Sequence, residues 1–128
     1  MKRVRIVVLV IGLLPLVLGC GRLRAIEAGG VDIRGDVTNI YWADVQRRER
    51  GILGSILVEG ILEKDTKFDK ASISITDKTR IFEQRGPNRR PVTFEALDIG
   101  EKVEARFMGP VLKSHPVRAK ALEIVILK

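Results

Sequence analysis

The chain has 128 residues, with 23 Lys and Arg against 16 Asp and Glu, a formal net charge of +7, one cysteine and one histidine. That length holds one domain rather than two. One cysteine rules out an internal disulfide framework, one histidine argues against a zinc centre built from three or four ligands, and the charge favours anionic partners.

The N-terminus reads as an export signal. Lys2, Arg3 and Arg5 precede Ile6 to Leu18, thirteen residues without a charged or polar side chain. A membrane-spanning helix needs about 20 apolar residues, whereas sixteen separate Arg5 from Arg22 and Pro15 interrupts them. The run closes on Leu16, Val17, Leu18, Gly19 and Cys20, which resembles the lipobox of bacterial lipoproteins. Leu18 is bulkier than that motif usually carries. The resemblance implies a diacylglyceryl thioether on Cys20, cleavage before it and acylation of the new amino group. Two or more chains hold a protein at a membrane where one does so marginally. An uncleaved anchor, or a plain signal with a chance cysteine, are the alternatives. Residues 1–19 are thus expected to be a lipoprotein signal peptide and 20–30 a lipidated N-terminus and tether ending in a glycine pair. Residues 31–128 are expected to be the folded domain. Three of the 23 basic residues lie in the signal, so 20 remain against 16 acidic ones and the mature charge is +4. Gly21, not aspartate, follows the cysteine, so the usual inner-membrane retention signal of a two-membrane cell is missing.

From Val31 the texture becomes that of strands. Val31, Ile33, Val37 and Tyr41 share one parity, with Gly35 where a bulge or tight bend is expected. Ile52, Ile56 and Val58 follow, then Ala71, Ile73 and Ile75 alternate with Ser72, Ser74 and Thr76. Asp77 and Lys78 mark a tight turn before Thr79 to Phe82. Gln84 to Pro91 reads as a basic loop punctuated by Gly86, Pro87 and Asn88. Thr93 to Gly100 offers a helical turn, capped by Thr93 and stopped by Gly100. The next strand points Val103, Ala105 and Phe107 inward. In the last, the inward set shifts from Val117, Ala119 and Ala121 to Leu122, Ile124 and Ile126, which marks a second bulge. Ile73, Ile75, Val103, Phe107, Ile124 and Ile126 are expected to share one core.

The expected fold class is all-β: a small five-stranded barrel of the oligonucleotide/oligosaccharide-binding (OB) type with one short helical turn between the third and fourth strands. An open sandwich is the alternative. The segments Gly54 to Gly60, Lys70 to Phe82, Phe94 to Val111 and Ser114 to Leu127 resemble the YobA-like family of bacterial lipoproteins, a domain of unknown function. Phe107, Gly109, Pro110 and Val111, followed by Ser114 and Pro116, are the most specific part. His115 departs from the aromatic that similar sequences carry there. The resemblance implies an exported, lipid-anchored domain and carries no activity.

Catalysis finds little support. His115 sits in a turn beside Pro116, where a solvent-facing role is the ordinary one, and nucleophilic catalysis needs a base beside the nucleophile. Glu63, Asp65 and Asp69 miss the calcium-loop spacing and are interleaved with Lys64, Lys67 and Lys70, so they read as a solvated connection. No cofactor or metal is expected. A stronger signal lies in Arg47, Arg48 and Arg50 between the first two strands and Lys113 and His115 between the last two. In OB-type barrels those loops flank one binding face. Arginine suits phosphate and carboxylate, and Trp42 or Tyr41 stands by to stack on a sugar or base. The ordinary reading is that Trp42 caps the barrel end and the arginines solvate a hairpin. The expected function is a non-catalytic binding module at the cell envelope, engaging an anionic polymer, lipid headgroups or an envelope protein. A nucleic-acid-binding barrel, which the exported location disfavours, and an envelope enzyme using paired carboxylates are the alternatives.

Overall fold

The computed structural model describes residues 30–128, and Val31–Lys128 form a compact unit. The expected signal peptide, Cys20 and all of the expected tether but Gly30 lie outside the described residues. The order of elements is β1 (Ile33–Trp42), α1 (Val45–Glu49), β2 (Ile52–Glu59), β3 (Lys70–Thr76), β4 (Arg80–Arg85), β5 (Asn88–Val92), a 3-10 turn (Phe94–Ala96), β6 (Lys102–Leu112) and β7 (Val117–Leu127). The unit is all-β, seven strands in one sheet ordered β3-β2-β1-β6-β7-β4-β5. Among the described residues no helix is long and apolar enough to cross a membrane.

Pairing is antiparallel from β3 through β2, β1 and β6 to β7. β3 and β7 then pair in parallel from Ala71↔Val117 to Ser74↔Lys120, so these five strands each have a partner on both edges. The second half of β7 pairs instead with β4, from Arg80↔Glu123 to Gln84↔Leu127. The change of partner falls at Leu122, which the register of β6 leaves unmatched, because Arg106 faces Glu123 and Phe107 faces Ala121. The phase change expected from the sequence is therefore a bulge, but its extra residue is Leu122. That side chain is exposed, and the inward set resumes at Ile124.

A second bulge corrects the reading of β1. The register slips between Val37 and Asn39, not at Gly35, so parity inverts beyond it and Tyr41 faces solvent at 56% exposure. Gly35 serves a close approach instead. A Cβ there would lie 2.4 Å from the carbonyl oxygen of Glu59, and one on Gly60 would lie 2.1 Å from that of Arg34. Only residues without a side chain let the two backbones pass this closely.

Between them the inward positions build one apolar core that includes Ile33, Ile56, Val58, Ile73, Ile75, Val103, Ile124 and Ile126, all fully buried, with Phe94 and Leu97 closing it. Five of the six residues expected to share the core do so. Phe107 packs against its edge, half-buried and stacked on Phe68 with ring centroids 5.8 Å apart. A turn forms behind Thr93 as expected, but it is a 3-10 turn of three residues that the Thr93 side chain does not cap and that ends at Leu97, ahead of Gly100.

Two elements were not expected. Asn88–Val92 is a strand rather than part of a loop, joined to β4 across Gly86 and Pro87, with Gly86 at a φ of +56°. It is an outer strand with almost no buried side chain, so it lacks the apolar alternation that reveals strands. Its Pro91 is tolerated because β5 pairs on one edge only. Val45–Glu49 is a short helix, capped by Asp44, whose carboxylate accepts the Arg47 N–H at 2.9 Å.

Candidate functional site

Alternation that buries Ala71, Ile73 and Ile75 turns Ser72 and Ser74 outward, and the same holds for Ser55 and Leu57 on β2. Strand register lines these residues up. One row reads Tyr41, Ser55, Ser74, Lys120 and Met108; the next reads Asn39, Leu57, Ser72, Arg118 and Leu112. With strands about 4.8 Å apart, each row runs roughly 19 Å across the outside of the sheet. The middle is floored by small hydroxyls, with a tyrosine at one end and two cations towards the other.

Tyr41 belongs to two depressions on this face. One also takes in Trp42, Arg47, Ser55 and Ser74. The other, about 450 Å³, is lined by Leu57, Ser72, Leu112, His115 and Arg118 among others. The two loops expected to flank a face therefore do so, but at opposite ends of the strands. Of the expected site residues, Trp42, Arg47 and His115 reach it. Arg48 does not. It lines a separate cleft with Phe94, Ile81 and Glu95, on the side where Trp42 meets Phe94 at a centroid distance of 4.4 Å. Arg50 closes the C-terminal end of α1, its N–H donating to the Arg47 carbonyl oxygen at 3.0 Å, and Lys113 is exposed; neither lines the depressions.

Sequence reasoning missed Arg118 and Lys120, which stand alone between apolar residues in β7. Their outward alternation was legible; that Ser72 and Ser74 lie beside them was not, because that follows from the parallel pairing of distant strands.

The charges of the face are unspent. Arg47, Lys113, Arg118 and Lys120 enter no ion pair with another described residue. His115 Nε2 lies 3.8 Å from Asp69 Oδ1, with both side chains largely in solvent. By contrast, the arginines of the basic segment at and after the end of β4 are paired with carboxylates. Arg90 Nη2 donates to Glu83 at 2.8 Å, Arg89 approaches Glu123 at 3.4 Å and lies over the Phe82 ring, and Arg85 lies 3.9 Å from Glu83. The Arg90 guanidinium holds the Glu83 carboxyl below its ordinary pKa.

The acidic connection after β2 is more than solvated. Arg34 gathers Glu63, Asp65 (2.7 Å) and Glu104 (2.7 Å). These hydrogen bonds raise the Arg34 pKa further and lower that of Asp65. Among the described residues no group of three or more His, Cys, Asp or Glu is placed to hold a metal ion. No family model, curated protein or solved structure matches the chain.

Proposed function

We propose that this chain is an exported lipoprotein of the YobA-like kind, anchored through a lipidated Cys20, whose domain is an OB-like barrel that binds an extended anionic ligand without catalysing its conversion. Support for the barrel comes from the ring of pairings β1-β2-β3-β7-β6, in which β3 and β7 return the sheet to its start. The helical turn between the third and fourth ring strands fits the same scheme. OB folds bind oligomers across the second and third strands and the two flanking loops.

The observation that carries the ligand class is the pair of rows across β1, β2, β3 and β7. A linear ligand can lie on the serine floor with a ring stacked on Tyr41 and its anionic groups beside Arg47, Arg118 and Lys120. Arginine presents a fork of donors suited to phosphate, sulfate or carboxylate.

The test uses the lipidated full chain in detergent with heparin, polyphosphate and a single-stranded oligonucleotide as probes. Arg118→Gln with Lys120→Gln should weaken the bound probe's affinity, and Tyr41→Ala should weaken probes that carry rings more than polyphosphate. Equal binding by wild type and the double variant would reject the face. Preference for the oligonucleotide over both other polyanions at matched charge would favour the nucleic-acid alternative.

A further inference from the structure

The pole at which β1 begins presents an apolar tip that the fold does not use. Ile61 and Leu62, just after β2, are 79% and 58% exposed. Their loop is held firmly. The N–H groups of Lys67 and Phe68 both donate to the Asp32 carbonyl oxygen at 2.9 and 3.1 Å, and the Gly60 N–H donates to that of Asp69 at 2.8 Å. Arg34 pairs with Glu63 and Asp65 just after the tip, and with Glu104. Lys64 is exposed and enters no ion pair with another described residue, whereas the exposed Lys67 lies 3.5 Å from Asp32. An exposed apolar tip beside the exposed Lys64 suits the headgroup region of a bilayer, which offers an apolar boundary and anionic groups side by side.

Chain connectivity points the same way. The residues before the described unit end at Gly30, two positions from the Asp32 that pins this loop. Ten residue steps separate Cys20 from Gly30, a span of at most about 36 Å. The chain that leads back to position 20 leaves the unit at the pole carrying Ile61 and Leu62. The turn between β3 and β4 is farther away by the length of β3, roughly 20 Å. β6 runs antiparallel to β1, with Ala105 opposite Ile33, so its end and the exposed Lys113 project beyond the same pole.

We propose that this pole docks on the bilayer that holds Cys20, with Ile61 and Leu62 in the headgroup region and Lys64 and Lys113 against anionic headgroups. This rests on the lipidation proposed above. Docking would act as the second signal that makes a lipid anchor stable. It would also leave the Tyr41–Lys120 row on the flank of the domain, open to a soluble polymer.

The test uses the lipidated full chain in phosphatidylethanolamine–phosphatidylglycerol vesicles. With Cys20 acylated, Leu62→Cys supplies the one free thiol for a polarity-sensitive fluorophore, and Lys78→Cys, in the β3–β4 turn, is the control. The expected result is a blue shift and several-fold stronger quenching by headgroup-labelled lipid at position 62 than at 78. Adding Ile61→Asp should abolish the difference while the chain still floats with the vesicles. If the chain floats but both positions report the same water exposure, docking is overturned and the anchor stands. If the wild-type chain fails to float, the anchor itself is overturned and docking falls with it.

Discussion

The β4–β5 hairpin and the outer face of β2 and β3 are both flanked by cations, but these cations meet different company. In the hairpin, Arg85, Arg89 and Arg90 find Glu83 beside them and Glu123 from β7. On the face, Arg47, Arg118 and Lys120 look across serines and a tyrosine, and no described carboxylate reaches them. The basic run of the hairpin is thus already paired, and among the available cations are two isolated ones in β7. What decides availability is the partner that a neighbouring strand brings, not the local count of arginines.

The strongest way to break both regions at once is through the strand they share. Ile124 is fully buried in β7, and Ile124→Ala should cost about 2–5 kcal/mol in denaturant unfolding. Phe107 is only half-buried, so Phe107→Ala should cost less than the roughly 3–5 kcal/mol of an enclosed phenylalanine. A full-sized loss would show that the Phe68 stack closes the core more tightly than its exposure indicates.

Binding sharpens the contrast next. Replacing Arg47, Arg118 and Lys120 together with glutamine should weaken heparin or polyphosphate binding about 10- to 100-fold, from about 0.5–1 kcal/mol for each exposed charge contact. The Tm should hardly move. Glutamines at Arg85, Arg89 and Arg90 should do the reverse, lowering the Tm and leaving affinity nearly intact. If both triple variants lose affinity alike, net charge and not a site governs binding.

Acid gives a smaller, distinguishable effect. Arg90 lowers the pKa of Glu83 and Arg34 lowers that of Asp65. A carboxyl with a depressed folded-state pKa contributes stability that is present above its unfolded value, near 4, and lost as pH falls through the folded value. The unfolding midpoint should therefore be flat above about pH 5 and fall below about pH 4. The hairpin glutamine variant should show a shallower fall, because Glu83 has lost its arginine partners and keeps only Lys128. The least change is expected from moderate salt, which screens exposed contacts over about 8 Å at physiological ionic strength. Probe binding should weaken while the Tm stays nearly constant.

The sequence by itself determined the elements whose side chains alternate between two unlike environments. Ala71, Ile73 and Ile75 against Ser72, Ser74 and Thr76 specify a strand with one buried face, and the broken phase of β7 specifies a bulge, because periodicity is local information. Where both faces meet solvent, as in Asn88–Val92, no alternation is written and the strand went unread. Only the tertiary structure decided that Tyr41 faces outward, since the slip between Val37 and Asn39 depends on how β1 pairs with β2. It alone set Ser72 beside Arg118 and brought Glu123 within reach of Arg89, 34 residues away in the chain. Which charges are neutralised and which stay free depends on register between distant strands. Hydrogen bonding and core packing of the whole sheet fix that register, and no short stretch of sequence contains it.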